Sequence, residues 1–167
     1  MTRPKGNSAT KGAARGDARR RAAYKPWADV PDTRRRTMAA IRCRDTKPEM
    51  IVRRALHAAG YRFAVARRVE GFRPDLAFTK RRRAIFVHGC FWHGHETCGH
   101  GKVPKTRSDY WREKLATNRD RDRRAVAALE AAGWSVLVLW ECGLSAGPLD
   151  MGRLEAFLGP RAWPCRA

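Results

Sequence analysis

The sequence lacks any long hydrophobic run. Its most apolar segments are residues 84–87 and 134–140, whereas a membrane-spanning helix needs about 20 apolar residues. The first thirty residues are basic but contain no apolar stretch of the kind that a secretory signal requires. We therefore expect a protein that neither spans a membrane nor carries a secretory signal.

Acidic residues are also scarce. The chain of 167 residues carries 16 Asp and Glu against 36 Lys and Arg, a formal net charge of +20. Such an excess of positive charge indicates an acidic partner, and nucleic acid is the commonest one. A basic protein that only coats a phosphate backbone and an enzyme that acts on nucleic acid both fit this charge.

The positive charge is divided between two segments. Residues 1–28 carry a net charge of +7 and almost no large apolar residue before Tyr24, which predicts a basic, disordered arm. Residues 29–167 carry the remaining +13. Since 43% of the chain is hydrophobic, this second segment can form one core, and we predict a single domain there.

The spacing of apolar residues predicts alternating helices and strands. Helices are predicted over 33–42, 46–59, 110–132 (in one piece or two) and 154–158. Strands are predicted over 61–69, 75–79, 83–88 and 134–140. The last strand is a continuous apolar run, typical of a strand buried on both faces. This order predicts an α/β domain with a mixed sheet.

Cysteine is rare, but two of the five cysteines stand in a segment that also holds four of the five histidines. Thiolates and imidazoles at this density favour a tetrahedral zinc ion. Cys90, His95 and Cys98 have a spacing that one loop can fold around an ion, with His100 as the alternative to His95. Cys142 follows the last strand and is either the fourth ligand or a buried core thiol.

Four residues are candidates for catalysis. Asp75 begins a predicted strand, where a carboxylate can hold Mg²⁺ against a phosphate, although capping a turn is the alternative role. His88 and His93 flank Cys90, and a neutral imidazole can activate water. Asp122 lies in a predicted helix and either orients a histidine or forms a solvated ion pair.

Three aromatic residues stand in polar or basic surroundings. Phe91 and Trp92 are adjacent and cannot both face one core, and Trp111 opens a helix among basic residues. Aromatic rings amid positive charge can stack on bases or wedge between base pairs. For Trp111, packing on the apolar face of its own helix is the alternative.

Taken together, these motifs resemble one family, the very short patch repair endonucleases. The resemblance runs in matching order over residues 33–144 and rests on the motifs DTKPE (45–49), RPD (73–75), FVHGCFWH (86–93), KVPKTR (102–107), NxxxDRR (118–124) and WEC (140–142). It implies a restriction-endonuclease-like fold, in which helices flank a mixed sheet, with a structural zinc site. It also implies a strand-specific, Mg²⁺-dependent nick beside the T of T:G mismatches, which arise when 5-methylcytosine deaminates.

The resemblance also implies roles for individual residues. Asp75 would bind the Mg²⁺ ion together with the backbone carbonyl of Val87, which stands where some members have Thr. Glu49 would support the site from its helix. Many nucleases of this fold have an acid-x-Lys pair on the strand around Val87, which this sequence lacks, so the second metal contact there cannot be a carboxylate. His93, oriented by Asp122, would activate water, and His88 would assist at the phosphate.

The remaining implied roles concern zinc and DNA. The four zinc ligands would be Cys90, His95, Cys98 and Cys142. The wedge that enters the base stack would consist of Phe91, Trp92 and Trp111. The partner would be double-stranded DNA with a T:G mismatch, and a mismatch-repair protein is a candidate recruiter. The protein is expected to be a monomer in the bacterial cytoplasm, associated with the nucleoid. Two alternatives stay open: a zinc-stabilised DNA-binding protein without catalysis, and a related nuclease with a different DNA target.

Overall fold

The structure is a computed structural model that describes residues 31–40 and 44–160, apart from the side chains of Arg34, Arg35 and Thr37. The chain divides into two units, Met1–Cys43 and Arg44–Ala167. In the first unit the described residues form helix α1 (Asp32–Ala39), which begins at Asp32 directly after Pro31. The predicted arm 1–28 and the predicted end of this helix at residue 42 lie outside the described residues.

The second unit contains a four-stranded mixed sheet and four α-helices within residues 44–160. Its elements are α2 (Lys47–Ala58), β1 (Ala64–Val65), β2 (Leu76–Phe78), β3 (Arg83–His88), α3 (Ser108–Ala131), β4 (Ser135–Trp140), α4 (Glu141–Ser145) and α5 (Met151–Leu158). The strand order is β1-β2-β3-β4. Strands β1, β2 and β3 pair antiparallel, while β3 and β4 pair parallel. The predicted α/β class with a mixed sheet is confirmed.

Helix α2 follows from local signals in the sequence. Thr46 occupies the N-cap position, and Pro48 lies in the first turn, where its missing N–H costs nothing. Val52 and Leu56 are fully buried at helical spacing. Gly60 follows the helix at φ +88°, a conformation that glycine adopts without strain.

Two hydrophobic clusters lie on opposite faces of the sheet, because successive side chains of a strand alternate between its faces. Ile85 and Val87 of β3 pack in a cluster with residues of α2, α4 and α5. Ala84 and Phe86 pack instead against Ala125 and Leu129 of α3, together with other residues. Helices therefore flank both faces, and α3 is one continuous helix of 24 residues. No helix of the described residues combines the length and apolarity that crossing a bilayer requires.

The prediction of a strand over 61–69 was wrong in its extent. Strand β1 contains only Ala64 and Val65, and Ala66 has φ +52°, a left-handed conformation that ends extended pairing. Val69 forms only an isolated antiparallel bridge with Phe72. The alternation of large and small residues in this segment therefore reflects a loop packed on the core.

The prediction that β4 is buried on both faces was also wrong. Only Leu139 of its six residues is buried, and Ser135 is exposed. The strand lies at one edge of the sheet. An open cleft of about 770 Å³ between the sheet and α3 is lined by Val138 and Trp140, among other residues. An apolar run thus signalled the strand but not its partial exposure.

Part of the positive charge stabilises the fold itself. In the turn between β2 and β3, Arg81 donates to the carbonyl of Leu158 (Nη1–O, 2.7 Å). Arg82 donates to the carbonyl of Ala132 (3.4 Å). Both carbonyls lie at helix C-termini, where a cation is favoured by the helix dipole. These two guanidinium groups are therefore engaged in helix capping.

Candidate active site and metal centre

Asp75 lies directly before β2, beside the end of β3. Its Oδ2 accepts a hydrogen bond from the backbone N–H of Val87 (2.7 Å). Burial raises the pKa of Asp75 to about 6, although the hydrogen bond from Val87 acts to lower it. The negative charge of the nearby Glu49, itself 6% exposed, raises that pKa further. A carboxylate in such surroundings suits a divalent cation.

The backbone carbonyl of Val87 faces the same side of β3 as Asp75. The N–H and C=O of one strand residue point towards the same neighbouring strand, and the N–H of Val87 points to Asp75. A carboxylate oxygen and a carbonyl oxygen are both ligands that Mg²⁺ accepts. The two groups that the resemblance assigned to the cation are thus brought to one place.

His88 and His93 form a stacked pair of imidazoles. Their rings are almost parallel (7°), with centroids 3.8 Å apart. His88 is 6% exposed, and burial together with the charge of His93 lowers the pKa of His88 to about 4. His88 is therefore neutral at pH 7. The charge of His93 acts on Asp75 as well, so His93 lies within electrostatic reach of that carboxylate.

Asp122 of α3 is hydrogen-bonded to His93. The Nδ1 of His93 lies 2.5 Å from the Oδ2 of Asp122. Burial acts to raise the pKa of Asp122, but the hydrogen bond from His93 holds it below its ordinary value. Because Asp122 is ionised, Nδ1 of His93 is the donor, and the second ring nitrogen of His93 remains available.

His88, His93 and Asp122 lie close enough together to be considered as a metal site of their own. The separation of 2.5 Å between His93 and Asp122 argues against it. Two ligands of one tetrahedral ion stand about 3.3 Å apart, given metal–ligand bonds of about 2.0 Å. The short separation is that of a hydrogen bond, so Asp122 serves as the partner of His93.

The second cluster consists of thiols around one imidazole. The Nδ1 of His95 lies 3.5 Å from the Sγ of Cys90, 3.2 Å from that of Cys98 and 3.4 Å from that of Cys142. In a tetrahedral zinc site, bond lengths of about 2.3 Å to sulfur and 2.0–2.1 Å to nitrogen separate these atoms by about 3.5 Å. The donor set and its spacing fit zinc, while His100 is exposed.

The thiols of this cluster differ in acidity. Burial raises the pKa of Cys90 to about 12. Burial acts in the same direction on Cys98, but hydrogen bonds from the His100 backbone and from Cys90 lower the pKa of Cys98 to about 6. A metal that binds all three sulfurs must therefore displace thiol protons, and its affinity will depend on pH.

Gly101 has a packing role that the sequence did not reveal. A Cβ atom at this position would lie 2.1 Å from the carbonyl oxygen of His95, closer than any real contact allows. The backbone at Gly101 therefore packs directly against the backbone of His95, whose imidazole contacts the three thiols. Gly99, in the same short helical turn, has nothing within 4 Å of a Cβ, and it offers a matched control.

We expect Gly101→Ala to lower the melting temperature and to loosen metal binding. Forcing a methyl group into a filled space costs about 1–3 kcal/mol, which corresponds to roughly 2–4 °C per kcal/mol for a chain of this size. Thermal melts and metal content after dialysis measure the two effects. Gly99→Ala should behave like the unmodified protein, and equal melts for both variants would contradict this account of the loop.

The three aromatic residues pack against one another. The ring centroids of Phe91 and Trp92 are 5.1 Å apart, and each ring lies 5.0–6.1 Å from that of Trp111. Phe91 and Trp92 are partly exposed, whereas Trp111 is 7% exposed. Asn118 of α3 donates a hydrogen bond to the carbonyl of Trp92 (2.8 Å). Trp111 thus lies behind the two rings that solvent reaches.

Comparison with known proteins places the chain in a family. A family model described as DNA mismatch endonuclease Vsr matches residues 28–99. The type II nicking enzyme V.XorIIP of Xanthomonas oryzae pv. oryzae is 50% identical over 128 residues, covering 77% of this chain and 90% of that protein. V.NmeAIP of Neisseria meningitidis is 38% identical, covering 76% and 91%. The DNA mismatch endonuclease Vsr of Escherichia coli is 44% identical, covering 70% and 76%.

The fold, the two clusters and these relatives define an α/β nicking endonuclease. The chain belongs to the family of DNA mismatch endonucleases called Vsr. The predicted family and enzyme class are confirmed by these matches. The roles of the individual site residues, the metals and the DNA target are proposals, which follow.

Proposed function

We propose that the protein nicks one strand of duplex DNA beside the T of a T:G mismatch, by Mg²⁺-dependent hydrolysis of a phosphodiester. The observation that carries this proposal is the convergence of Asp75 and the oriented His93–Asp122 pair at the end of β3. The family supports the same reaction. The net charge of +20 suits a DNA partner.

Asp75 and the carbonyl of Val87 would hold the Mg²⁺ ion. A bound Mg²⁺ would polarise the scissile phosphate and stabilise the charge on the leaving oxygen. The burial that raises the pKa of Asp75 makes an ionised carboxylate costly without a cation, which is why the residues present fit the ion.

His93 would take the proton from the attacking water. Its Nδ1–H donates to Asp122, which leaves the other ring nitrogen with a lone pair for that proton. His88 stays neutral at pH 7 because burial lowers its pKa to about 4, so it can contact the phosphate as a hydrogen-bond donor. Stacking against His88 also fixes the ring plane of His93.

Cys90, His95, Cys98 and Cys142 would hold a structural Zn²⁺ ion. The hydroxyl of Thr97 lies 2.7 Å from Nε2 of His95, so Nε2–H can donate to it while Nδ1 binds the metal. His93 lies between two of these ligands in the chain. The zinc would therefore fix the same loop that carries the proton acceptor and the aromatic cluster.

Phe91 and Trp92, with Trp111 packed behind them, would form the wedge that opens the stack beside the mismatch. Partial unstacking costs a few kcal/mol per base step, and a mismatched pair resists it least. We further propose that the protein acts as a monomer in the cytoplasm, at the nucleoid, and that a mismatch-repair protein recruits it.

A duplex labelled on the T-containing strand tests this function. With Mg²⁺, we expect the purified protein to nick the T:G duplex at least 100-fold faster than the same duplex with a T:A pair, and not at all in EDTA. This factor corresponds to about 2.7 kcal/mol of discrimination. Equal cutting of the T:A duplex would indicate a nuclease with another target. Binding of both duplexes without any cut would indicate a DNA-binding protein instead.

A further inference from the structure

Arg53 of α2 lies at the edge of the candidate site, and its role was not predicted from the sequence. Its side chain is 12% exposed. One terminal nitrogen, Nη2, donates to Oε2 of Glu49 (2.7 Å), and the other, Nη1, pairs with the carboxylate of Asp45. The guanidinium group is thus held between two carboxylates on the side of the sheet that α2 covers.

Glu49 has almost all of its hydrogen-bonding capacity engaged. Its Oε2 accepts from Arg53 and from the backbone N–H of Asp45 (3.1 Å), while its Oε1 accepts from the hydroxyl of Thr46 (2.8 Å). A carboxylate oxygen has two lone-pair positions. Oε2 is therefore saturated, and Glu49 can act only through the remaining position on Oε1.

Both groups lie in the part of α2 that packs beside Asp75. Val52, the residue before Arg53, packs in one cluster with Leu76 and Val87; Leu76 follows Asp75 in the chain, and the N–H of Val87 donates to the Asp75 carboxylate. Two carboxylates in one region can both become ligands of a single cation. Arg53 disfavours this outcome because it already pairs with Glu49 before any cation binds.

We propose that Arg53 is a positioning residue, which pins Glu49 beside Asp75 as a hydrogen-bond acceptor and keeps it from becoming a second ligand of the cation. Held in this way, Oε1 of Glu49 accepts a hydrogen bond from a water at the site and orients it. This inference rests on the proposed function, since it assigns to Asp75 the cation that the reaction needs.

The proposal predicts that Arg53→Met moves two quantities in opposite directions. Without the guanidinium, Glu49 is free to join Asp75 around the cation and the local charge becomes more negative, so Mn²⁺ should bind about three- to tenfold more tightly. Nicking at saturating metal should slow by about tenfold or more, because the water loses its acceptor. Arg53→Lys keeps the charge but not the two-pronged geometry, so its Mn²⁺ affinity and nicking rate should lie between those of the unmodified protein and those of Arg53→Met.

Neighbouring Arg54 provides the matched control, because it is exposed on the same helix and Arg54→Met removes the same charge. We would measure Mn²⁺ affinity by electron paramagnetic resonance on the zinc-loaded, DNA-free protein, and single-turnover nicking at saturating Mg²⁺. Arg54→Met should leave the Mn²⁺ affinity unchanged. Arg53→Met should tighten Mn²⁺ binding clearly less in a Glu49→Gln background than in the unmodified protein, because only the loss of the positive charge then acts and no second carboxylate is released.

Two results would overturn this role: weaker Mn²⁺ binding by Arg53→Met, or nicking by Arg53→Met at the rate of Arg54→Met. Folding is checked by thermal melts, and a merely structural loss would lower the active fraction without tightening Mn²⁺ binding. If the unmodified protein nicks no T:G duplex, the proposed function fails. The Mn²⁺ affinities, with and without Glu49, would still decide what Arg53 does.

Discussion

Asp75→Asn is expected to abolish nicking and, at the same time, to stabilise the protein at neutral pH. The amide keeps an oxygen that can accept the hydrogen bond from Val87, so the local structure should persist. The charge that holds the cation is lost, and we expect the rate to fall at least 10³-fold, which corresponds to about 4 kcal/mol. Most variants destabilise a protein, so a gain in stability would be distinctive.

The gain in stability follows from the pKa of Asp75. In the unfolded chain this carboxyl loses its proton near pH 3.8, and in the folded protein near pH 6. Between these values the folded state binds more protons, so the free energy of unfolding falls as the pH rises from about 4 to 6. Above pH 6 the buried charge costs the fold about 1–3 kcal/mol, and Asn removes that cost.

Thermal melts at pH 4 and pH 7.5 distinguish the removal of the buried charge from a change in stability that does not depend on pH. The melting temperature of Asp75→Asn should exceed that of the unmodified protein at pH 7.5 by several degrees and match it at pH 4. Asp109→Asn replaces an exposed carboxylate on α3 and should change stability by less than about 0.5 kcal/mol at either pH. A loss of stability at pH 7.5 would show that the Asp75 carboxylate supports the fold.

Removal of the metal from the cysteine cluster is expected to cause the second large change. Cys90 and His95 lie in the loop, whereas Cys142 lies in α4, so the ion would join segments about fifty residues apart. A metal that binds only the folded state adds its binding free energy to stability. Strong chelation should therefore lower the melting temperature by roughly 6–12 °C, taking about 3 kcal/mol and 2–4 °C per kcal/mol.

Paired histidine variants identify the ligand within this cluster. His95→Ala should abolish the stoichiometric zinc content and melt like the chelated protein, because the Nδ1 of His95 lies 3.2–3.5 Å from all three sulfurs. His100 lies two residues after Cys98 and is exposed, so His100→Ala should retain one zinc per chain. The opposite pattern, or an unchanged melt after verified metal removal, would contradict the assignment.

Local chemistry explains why parts of the fold could be predicted. Thr46, Pro48 and Gly60 act within one or two turns of helix, so α2 was visible in the sequence at nearly its true bounds. The hairpin of β2 and β3 was visible for the same reason. The parallel pairing of β3 with β4 follows from the connection between them, which contains all of α3.

Other features depend on tertiary contacts, which a sequence pattern does not encode. The end of β1 depends on the left-handed conformation of Ala66, a residue with no preference for it. The partial exposure of β4 depends on its position at the sheet edge and on the cleft beside α3. The need for glycine at position 101 arises only where the loop meets the backbone of His95.

In the candidate site, too, the features set by local sequence could be predicted, and those set by tertiary contacts could not. The segment 88–98 holds most of its residues, so their proximity could be predicted from spacing alone. Asp122 comes from a distant helix, and its pairing with His93 was inferred from the family motif. Arg53 left a signal as well, since it stands four residues after Glu49 and such pairs face each other on a helix. That spacing is common on helix surfaces, however, and carries no hint of a buried pair.

Whether the protein nicks only the T-containing strand, and does so through Asp75, is decided by resolving the two strands of the cut duplex. A T:G duplex labelled differently on its two strands is incubated with Mg²⁺ and either the unmodified protein or Asp75→Asn. We expect a single nick in the T-containing strand, an intact G-containing strand, and no product with Asp75→Asn. Cleavage of both strands, or a nick that persists in Asp75→Asn, would contradict this expectation.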